Sequence, residues 1–167
     1  MVPEPKSSRP HMPGYGIAGP GEGRGLLPWS WAEECLVNSH DYWLASVRPD
    51  GTPHVMPVWG VWAQGAAWFS SGHESRKARN IASNPRAVIT NDNPRQPVVV
   101  EGTTELIVAE PAVEVFTSWV NTKYGTDLPV SFFIDNACFR LAPTRVIGLD
   151  DADFTTSPTR WIFEEES

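Results

Sequence analysis

From Tyr42 to Asn80 the chain reads YWLASVRPDGTPHVMPVWGVWAQGAAWFSSGHESRKARN: three apolar runs, two breaks and then a basic segment. The first break is Arg48-Pro49-Asp50-Gly51. Proline presets φ, aspartate bonds its own backbone and glycine takes positive φ, so Pro-Asp-Gly between apolar runs is a reversal of direction. Ala63-Gln64-Gly65-Ala66 is the second break. This pattern predicts strands over 42–47, 53–62 and 66–71. Gly72 ends the third, and a helix follows from about Ser75. That helix opens with Arg76, Lys77 and Arg79. Unpaired N–H groups and the dipole at a helix start favour an anion, and the cations add to this.

The middle strand carries apolar residues on both faces. Val55, Pro57, Trp59 and Val61 alternate with His54, Met56, Val58, Gly60 and Trp62. A strand of this kind is covered twice, by the core on one side and by a second subunit or a flat ligand on the other. Pro57 lacks an N–H, which places the run at an edge or beside a gap in the ladder. Such a gap leaves backbone groups free for a ligand. A sandwich-core strand with a bulge accounts equally for these facts.

Working outward, residues 1–27 hold five prolines and six glycines, a composition for a flexible arm and not for a core. The remaining 28–167 reads as a single domain. Ser30-Trp31-Ala32-Glu33 has the form of a capping box, predicting a helix to about Asn38 with Trp31, Cys35 and Leu36 on one face. The helix from Ser75 stops at Ser83-Asn84-Pro85. A short strand over 87–90, a polar loop over 91–97 and a long strand over 98–108, bent at Glu101-Gly102, come next. Pro111 suits a first helical turn, and Val113, Phe116, Trp119 and Val120 give that helix an apolar face ending before Gly125. Strands are predicted over 131–142, 144–150 and 159–163, divided by Pro143 and Pro158. About seven strands in hairpin-like order, with about three helices, predict a mainly β fold: an antiparallel barrel with peripheral helices.

Composition narrows the function. The chain has 167 residues and a net charge of −7, with a pI near 5.0, which argues against nucleic acid or an anionic membrane as partner. Against that background, residues 75–86 carry Arg76, Lys77, Arg79 and Arg86 and no acid. A solvated helix face is the plain reading of such a cluster. No apolar run reaches spanning length and no leader-type apolar segment opens the chain, so a soluble, cytoplasmic protein is expected. Cys35 and Cys138 form no metal or disulfide pattern. His73-Glu74 begins like a zinc-protease motif, but Lys77 stands where the second histidine belongs. Neither G-x-S-x-G nor a Walker loop occurs. No catalytic constellation is evident, so in an enzyme a cofactor carries the difficult step. His54 and His73 are candidate proton donors, beside solvent. The eight tryptophans and the doubly apolar strand predict a homodimer.

The run PDGTPHVMPVW (49–59), then WFSSGHESRKARN (68–80) and VVVEGTTEL (98–106), resembles the pyridoxamine 5'-phosphate oxidase-like split-barrel superfamily. It is most similar to the flavin and deazaflavin oxidoreductases of actinobacteria, as is the opening segment LLPWSWAEE (26–34). The likeness spans roughly residues 24 to 163. It implies an antiparallel split β-barrel of the FMN-binding type and a homodimer with two cofactors at its interface. By resemblance, Val55, Met56, Pro57, Val58 and Trp59 line the cofactor ring. Ser70, Ser71, Arg76 and Lys77 hold its phosphate, and Arg79 and Asn80 extend that pocket. Gln96 and the pair Arg160 and Trp161 approach the partner's cofactor. The basic residues of a true pyridoxamine-phosphate oxidase are absent from the ring-lining strand, where Met56 and Trp59 stand, which argues against vitamin B6 oxidation. The resemblance therefore implies an oxidoreductase using coenzyme F420 to pass hydride to a conjugated small molecule. An FMN-dependent reductase or oxidase, and a non-enzymatic carrier of cofactor or haem, are the alternatives on the same fold.

Overall fold

The two reversals fall where the sequence places them. In the first, Gly51 takes φ 85°, its N–H bonds the Arg48 carbonyl at 2.8 Å and the Asp50 carboxylate accepts from the Thr52 N–H at 2.9 Å. In the second, Gln64 and Gly65 both take positive φ, 52° and 68°. The structure, a computed structural model, describes residues 4–163. In chain order the elements are β1 (Lys6–Ser8), α1 (Trp29–Asn38), β2 (Asp41–Val47), β3 (Pro53–Ala63), β4 (Ala66–Ser71), α2 (Arg76–Ser83), β5 (Arg86–Asn91), β6 (Val98–Ile107), α3 (Glu110–Tyr124), α4 (Val130–Ile134), β7 (Ala137–Gly148) and β8 (Thr159–Ile162).

The sheet runs β1-β8-β7-β4-β3-β2-β5-β6, and β6 pairs again with β7. Every pairing is antiparallel. Six strands therefore close a barrel, and β8 and β1 extend from it. β7 is the strand that splits. Its residues Ala137 to Leu141 pair with β4, whereas Arg145 to Gly148 pair with β8. Pro143 lies between, where neither neighbour requires its missing N–H. Opposite it the β6–β7 ladder shifts register at Glu101/Gly102. A Cβ on Gly102 would stand 2.2 Å from the Ala142 carbonyl oxygen, so only glycine lets the two strands cross there. The expected bend of the long strand is this bulge.

Three expectations are corrected. Residues 131–142 do not form one strand, because the first part is α4, whose Phe133 packs edge-on to Phe116 at 5.0 Å. Local β-propensity in VSFFI yields to that buried contact. The two strands expected around Pro143 are one, β7, with a 3-10 turn at Asp151–Asp153 after it. Ser30 is not a cap. α1 begins at Trp29, with extended Pro28 before it and no side-chain cap bond, because Trp29 is drawn into the core.

Of the proline- and glycine-rich segment, the described residues from position 4 onward touch the barrel at several points. Lys6–Ser8 adds a strand to β8. Arg9, only 3% exposed, donates to the carbonyls of Glu22, Arg24, Thr156 and Pro158. Backbone acceptors thus fix a segment that has little apolar surface to bury.

One apolar core fills the barrel, with Leu36 of α1 and Leu44, Ile89, Val98 and Leu141 from the strands. A second lies outside it, where Val113, Phe116, Val120 and Phe133 of α3 and α4 cover Trp68 and Cys138. Each such side chain contributes about 1.5–3 kcal/mol on burial. Among the described residues no helix is long and apolar enough to cross a membrane.

Candidate cofactor site

β3 has one neighbour along its first seven residues. β2 pairs with it from Pro53 to Trp59, but β4 pairs only from Gly60 to Ala63. The other edge of Pro53–Trp59 is open. Gly60 turns its N–H and C=O toward the end of β2, where Tyr124 and Lys123 meet them. Alternation along an antiparallel strand then turns the backbone groups of Val55, Pro57 and Trp59 to the open side. The expected gap beside Pro57 is this edge. Its outer face is apolar, with Trp43, Val55 and Trp59 each about half exposed; Met56, on the opposite face with Val58, is also about half exposed. Val58 is buried in the barrel, so its side chain does not line the site.

Directly after β4 comes a basic helix start. Ser71 and Ser75 share a hydrogen bond of 2.7 Å between their hydroxyls, and Ser75 caps α2 by accepting from the Ala78 N–H at 3.2 Å. The Ser70 hydroxyl donates to the Ala137 carbonyl at 2.9 Å. Arg79 is paired with Glu74 at 2.5 Å. Among the described residues Arg76 and Lys77 form no ion pair. Asn80 is not in the seat: it is fully buried and its amide donates to the Ser46 hydroxyl at 3.0 Å.

Near this helix start stand His54, expected only as a candidate proton donor, and Arg48, which the sequence did not single out. Partial burial, and then the charges of Arg48, Lys77 and Arg76, push the His54 pKa down. Its Nδ1 is buried without a hydrogen-bond partner. Arg48 follows β2 and His54 begins β3, so both arrive from the strand side. The available signal was their position flanking the Pro-Asp-Gly turn. An anion bonded by His54 would satisfy the orphaned nitrogen and favour the imidazolium.

Between seat and edge lies a cleft of about 300 Å³, lined by Trp59, Ser71, Phe116, Val120, Phe132 and Phe133 among others, with no charged side chain. Trp59 is stacked on Tyr124 at 4.1 Å with the planes 2° apart. Burial holds the Lys123 pKa down, at about 8, and raises that of Tyr124 to about 12.

Gln96, Arg160 and Trp161 lie elsewhere. Gln96 borders a polar groove with Trp31, Glu34, Cys35 and Asp92, and its amide donates to Asp150 at 3.2 Å. The Arg160 guanidinium donates to the Ser8 hydroxyl at 3.1 and 3.2 Å. Trp161 is 0% exposed and packs on Trp29 at 5.6 Å. A core residue has no surface to offer a ligand, so its assignment is withdrawn. Burial raises the pKa of both Cys35 and Cys138, which keeps both thiols protonated. Among the described residues no cluster of His, Cys, Asp and Glu is placed to hold a metal.

Comparison with known proteins agrees with this architecture. No curated protein sequence matches the chain. A conserved hypothetical protein of Mycobacterium tuberculosis superposes with TM-score 0.68 at 20% identity, over 78% of this chain and 89% of that one. A protein described as an F420 reductase superposes with TM-score 0.58 at 29% identity, over 68% and 94%. A haem-binding protein of Mycobacterium smegmatis does so with TM-score 0.60 at 18% identity, over 74% and 55%. The family model for pyridoxamine 5'-phosphate oxidase matches residues 32–150. That is well over half of the chain and takes in the barrel strands β2 to β7, so the chain belongs to the pyridoxamine 5'-phosphate oxidase-like split-barrel superfamily.

Proposed function

We propose that this protein is an oxidoreductase that holds a flavin-type ring, coenzyme F420 before FMN, and works as a homodimer on an uncharged conjugated small molecule. The observation that carries this reading is the cleft that joins β3's open edge to a helix start whose bases Arg76 and Lys77 have no carboxylate partner among the described residues. The residues fit such a group. His54 Nδ1 lacks a partner beside the bases, and the strand presents free backbone groups between half-exposed apolar side chains. When bound, such a ring supplies hydride transfer.

The chain's own part is to bind, orient and exclude water. Arg76, Lys77 and the first N–H groups of α2 hold the phosphate. Val55 and Trp59 offer N–H donors on the open edge. Trp43, Val55 and Trp59 keep water from the ring and supply the apolar area for the second subunit. The uncharged lining of the cleft supports an uncharged substrate, and no side chain there is placed as an obligatory acid or base.

FMN is the second reading, favoured by one observation. Arg79 is neutralised by Glu74, which leaves fewer bases beyond the phosphate for a longer anionic tail. Titrating the purified apoprotein with coenzyme F420 and with FMN, followed by absorbance and fluorescence, tests both. Saturable binding of either, and reoxidation of its reduced form by an added quinone, supports an enzyme. Binding of haem alone points to the carrier instead.

A further inference from the structure

Tyr124 occupies a missing rung of the sheet. The β2–β3 ladder ends at Asp41↔Trp59, and the next pair would be His40 with Gly60. In its place the Tyr124 hydroxyl accepts from the Gly60 N–H at 2.9 Å and donates to the His40 carbonyl at 2.5 Å. The Lys123 ammonium donates to the Gly60 carbonyl at 2.7 Å. The last two residues of α3 thus satisfy both backbone groups of Gly60. The fit is tight on the strand side, where a Cβ on Gly60 would lie 2.9 Å from the Trp68 carbonyl oxygen. On the helix side, Gly125 caps α3 with φ 64°, which fixes where Tyr124 stands.

The residue before Gly60 is Trp59, and its indole lies flat on the Tyr124 ring. Trp59 borders the cleft, and α3 supplies Phe116 and Val120 to the same lining. Tyr124 thus does not itself line the cleft, but it is stacked on one lining residue, Trp59, and shares α3 with two others. A near-parallel stack resists rotation of the indole, since turning either ring out of plane loses contact over the whole face.

We infer that Tyr124 is a positioning residue. It fixes the plane of Trp59 and the width of the cleft, and so controls binding of flat aromatic molecules at β3 while leaving the anion seat on α2 unaffected. The inference rests on the reading that β3 holds a flat ring. It is tested by measurements that do not all depend on that reading.

The variants are Tyr124→Phe, Tyr124→Leu, Trp59→Leu and the Tyr124→Leu/Trp59→Leu double. The probes are N-phenyl-1-naphthylamine for the cleft, coenzyme F420 and FMN for the ring site, and inorganic phosphate for the seat. Tyr124→Leu is expected to lose the Trp59 contribution to near-UV circular dichroism. It should weaken the naphthylamine and the ring cofactor by about tenfold or more, with phosphate affinity unchanged within about twofold. Tyr124→Phe keeps the stack and should retain the dichroism with an intermediate affinity. The double variant should be no worse than Trp59→Leu, because Tyr124 acts through that side chain. Wild-type dichroism or wild-type affinities in Tyr124→Leu would overturn the inference, as would a parallel loss of phosphate binding, which marks general loosening. If wild type binds neither F420 nor FMN, the cofactor reading fails, and the dichroism and the naphthylamine still decide the role of Tyr124.

Discussion

The hydroxyls of Ser71 and Ser75 lie 2.7 Å apart, joining the last residue of β4 to the N-cap of α2. The cap and the strand end therefore move as one piece, and Arg76 and Lys77 are carried on it. Neither base is needed for that junction. Replacing both with alanine should leave the fold intact, since alanine favours helix. Each lost charge-assisted bond to phosphate costs about 1.5–3 kcal/mol, or roughly ten- to a hundredfold in cofactor affinity. The double loss is less than additive because both bases share one anion. Dissociation constants and thermal unfolding on one Arg76→Ala/Lys77→Ala preparation check this. Wild-type affinity in a folded variant removes the phosphate assignment.

Gly102 offers a test of the barrel itself. A Cβ there meets the Ala142 carbonyl oxygen at 2.2 Å and Leu141 Cδ2 at 2.6 Å. The first contact is backbone and has no rotamer to escape into. Gly102→Ala should destabilise by about 1–3 kcal/mol or more, as overpacked cores do. Urea unfolding measures it. Gly51→Ala makes the contrast, because nothing surrounds that position within 4 Å and only its φ of 85° is at stake. Equal losses in the two variants would show that the crossing is not as tight as the strands require.

These two sites also mark how far the sequence could be read. The Pro-Asp-Gly turn, the cap at Ser75 and the bend at Glu101-Gly102 are local events, each written in the residues that perform it. α4 was not legible, because VSFFI carries a strand's propensity and only the seat of Phe133 beneath α3 makes it helical. Lys123 and Tyr124 were hidden for a different reason. A basic residue in the last turn of a helix is ordinary, and nothing nearby in sequence points to Gly60, more than sixty positions earlier. Trp161 was assigned by resemblance alone, and nothing in Arg-Trp-Ile-Phe tells which face of the strand is core, where Trp161 is buried.

Cofactor preference should depend on salt. Coenzyme F420 carries a polyglutamyl tail that FMN lacks. Arg79 is held by Glu74, leaving Arg86 as the exposed base beyond the seat. F420 is expected to bind more tightly at low ionic strength, with the gap narrowing as salt rises, because exposed charges are screened over about 8–10 Å at physiological salt. Titrations at two ionic strengths check this. FMN binding as tight as F420 at low salt reverses the order of the two readings.

The exposed face of Trp43, Val55 and Trp59 predicts self-association. Charge introduced at Trp43, as Trp43→Glu, should shift a dimer toward monomer and weaken cofactor binding together, if the second subunit covers the ring site. Sedimentation equilibrium and cofactor titration on the same samples report both. A wild-type chain that sediments as a monomer at micromolar concentration, with and without cofactor, removes the dimer.

Lys123 gives a signed pH dependence. Burial is the main cause of its lowered pKa, about 8 folded against 10.5 for the free side chain, with Asp41 and Asp92 opposing. Between those values the unfolded chain binds more protons than the folded one, so stability rises with pH across that window. Below about pH 8 both states are protonated and the cost of burying the ammonium is present in full. The upper limit is set by the tyrosines. Tyr42 and Tyr124 have pKa values raised by burial, so above about pH 10 the unfolded chain ionises first and stability falls again. Lys123 is partly open to solvent, so the gain from pH 7.5 to 9.5 is on the order of 1 kcal/mol after screening. Lys123→Met should remove that rise and keep the fall above pH 10. Urea unfolding of wild type and variant at about pH 7.5, about pH 9.5 and about pH 10.5, which bracket the window, reads the difference. The same rise in both proteins would show that the ammonium over Gly60 is better solvated than its place between Tyr42 and Tyr124 suggests.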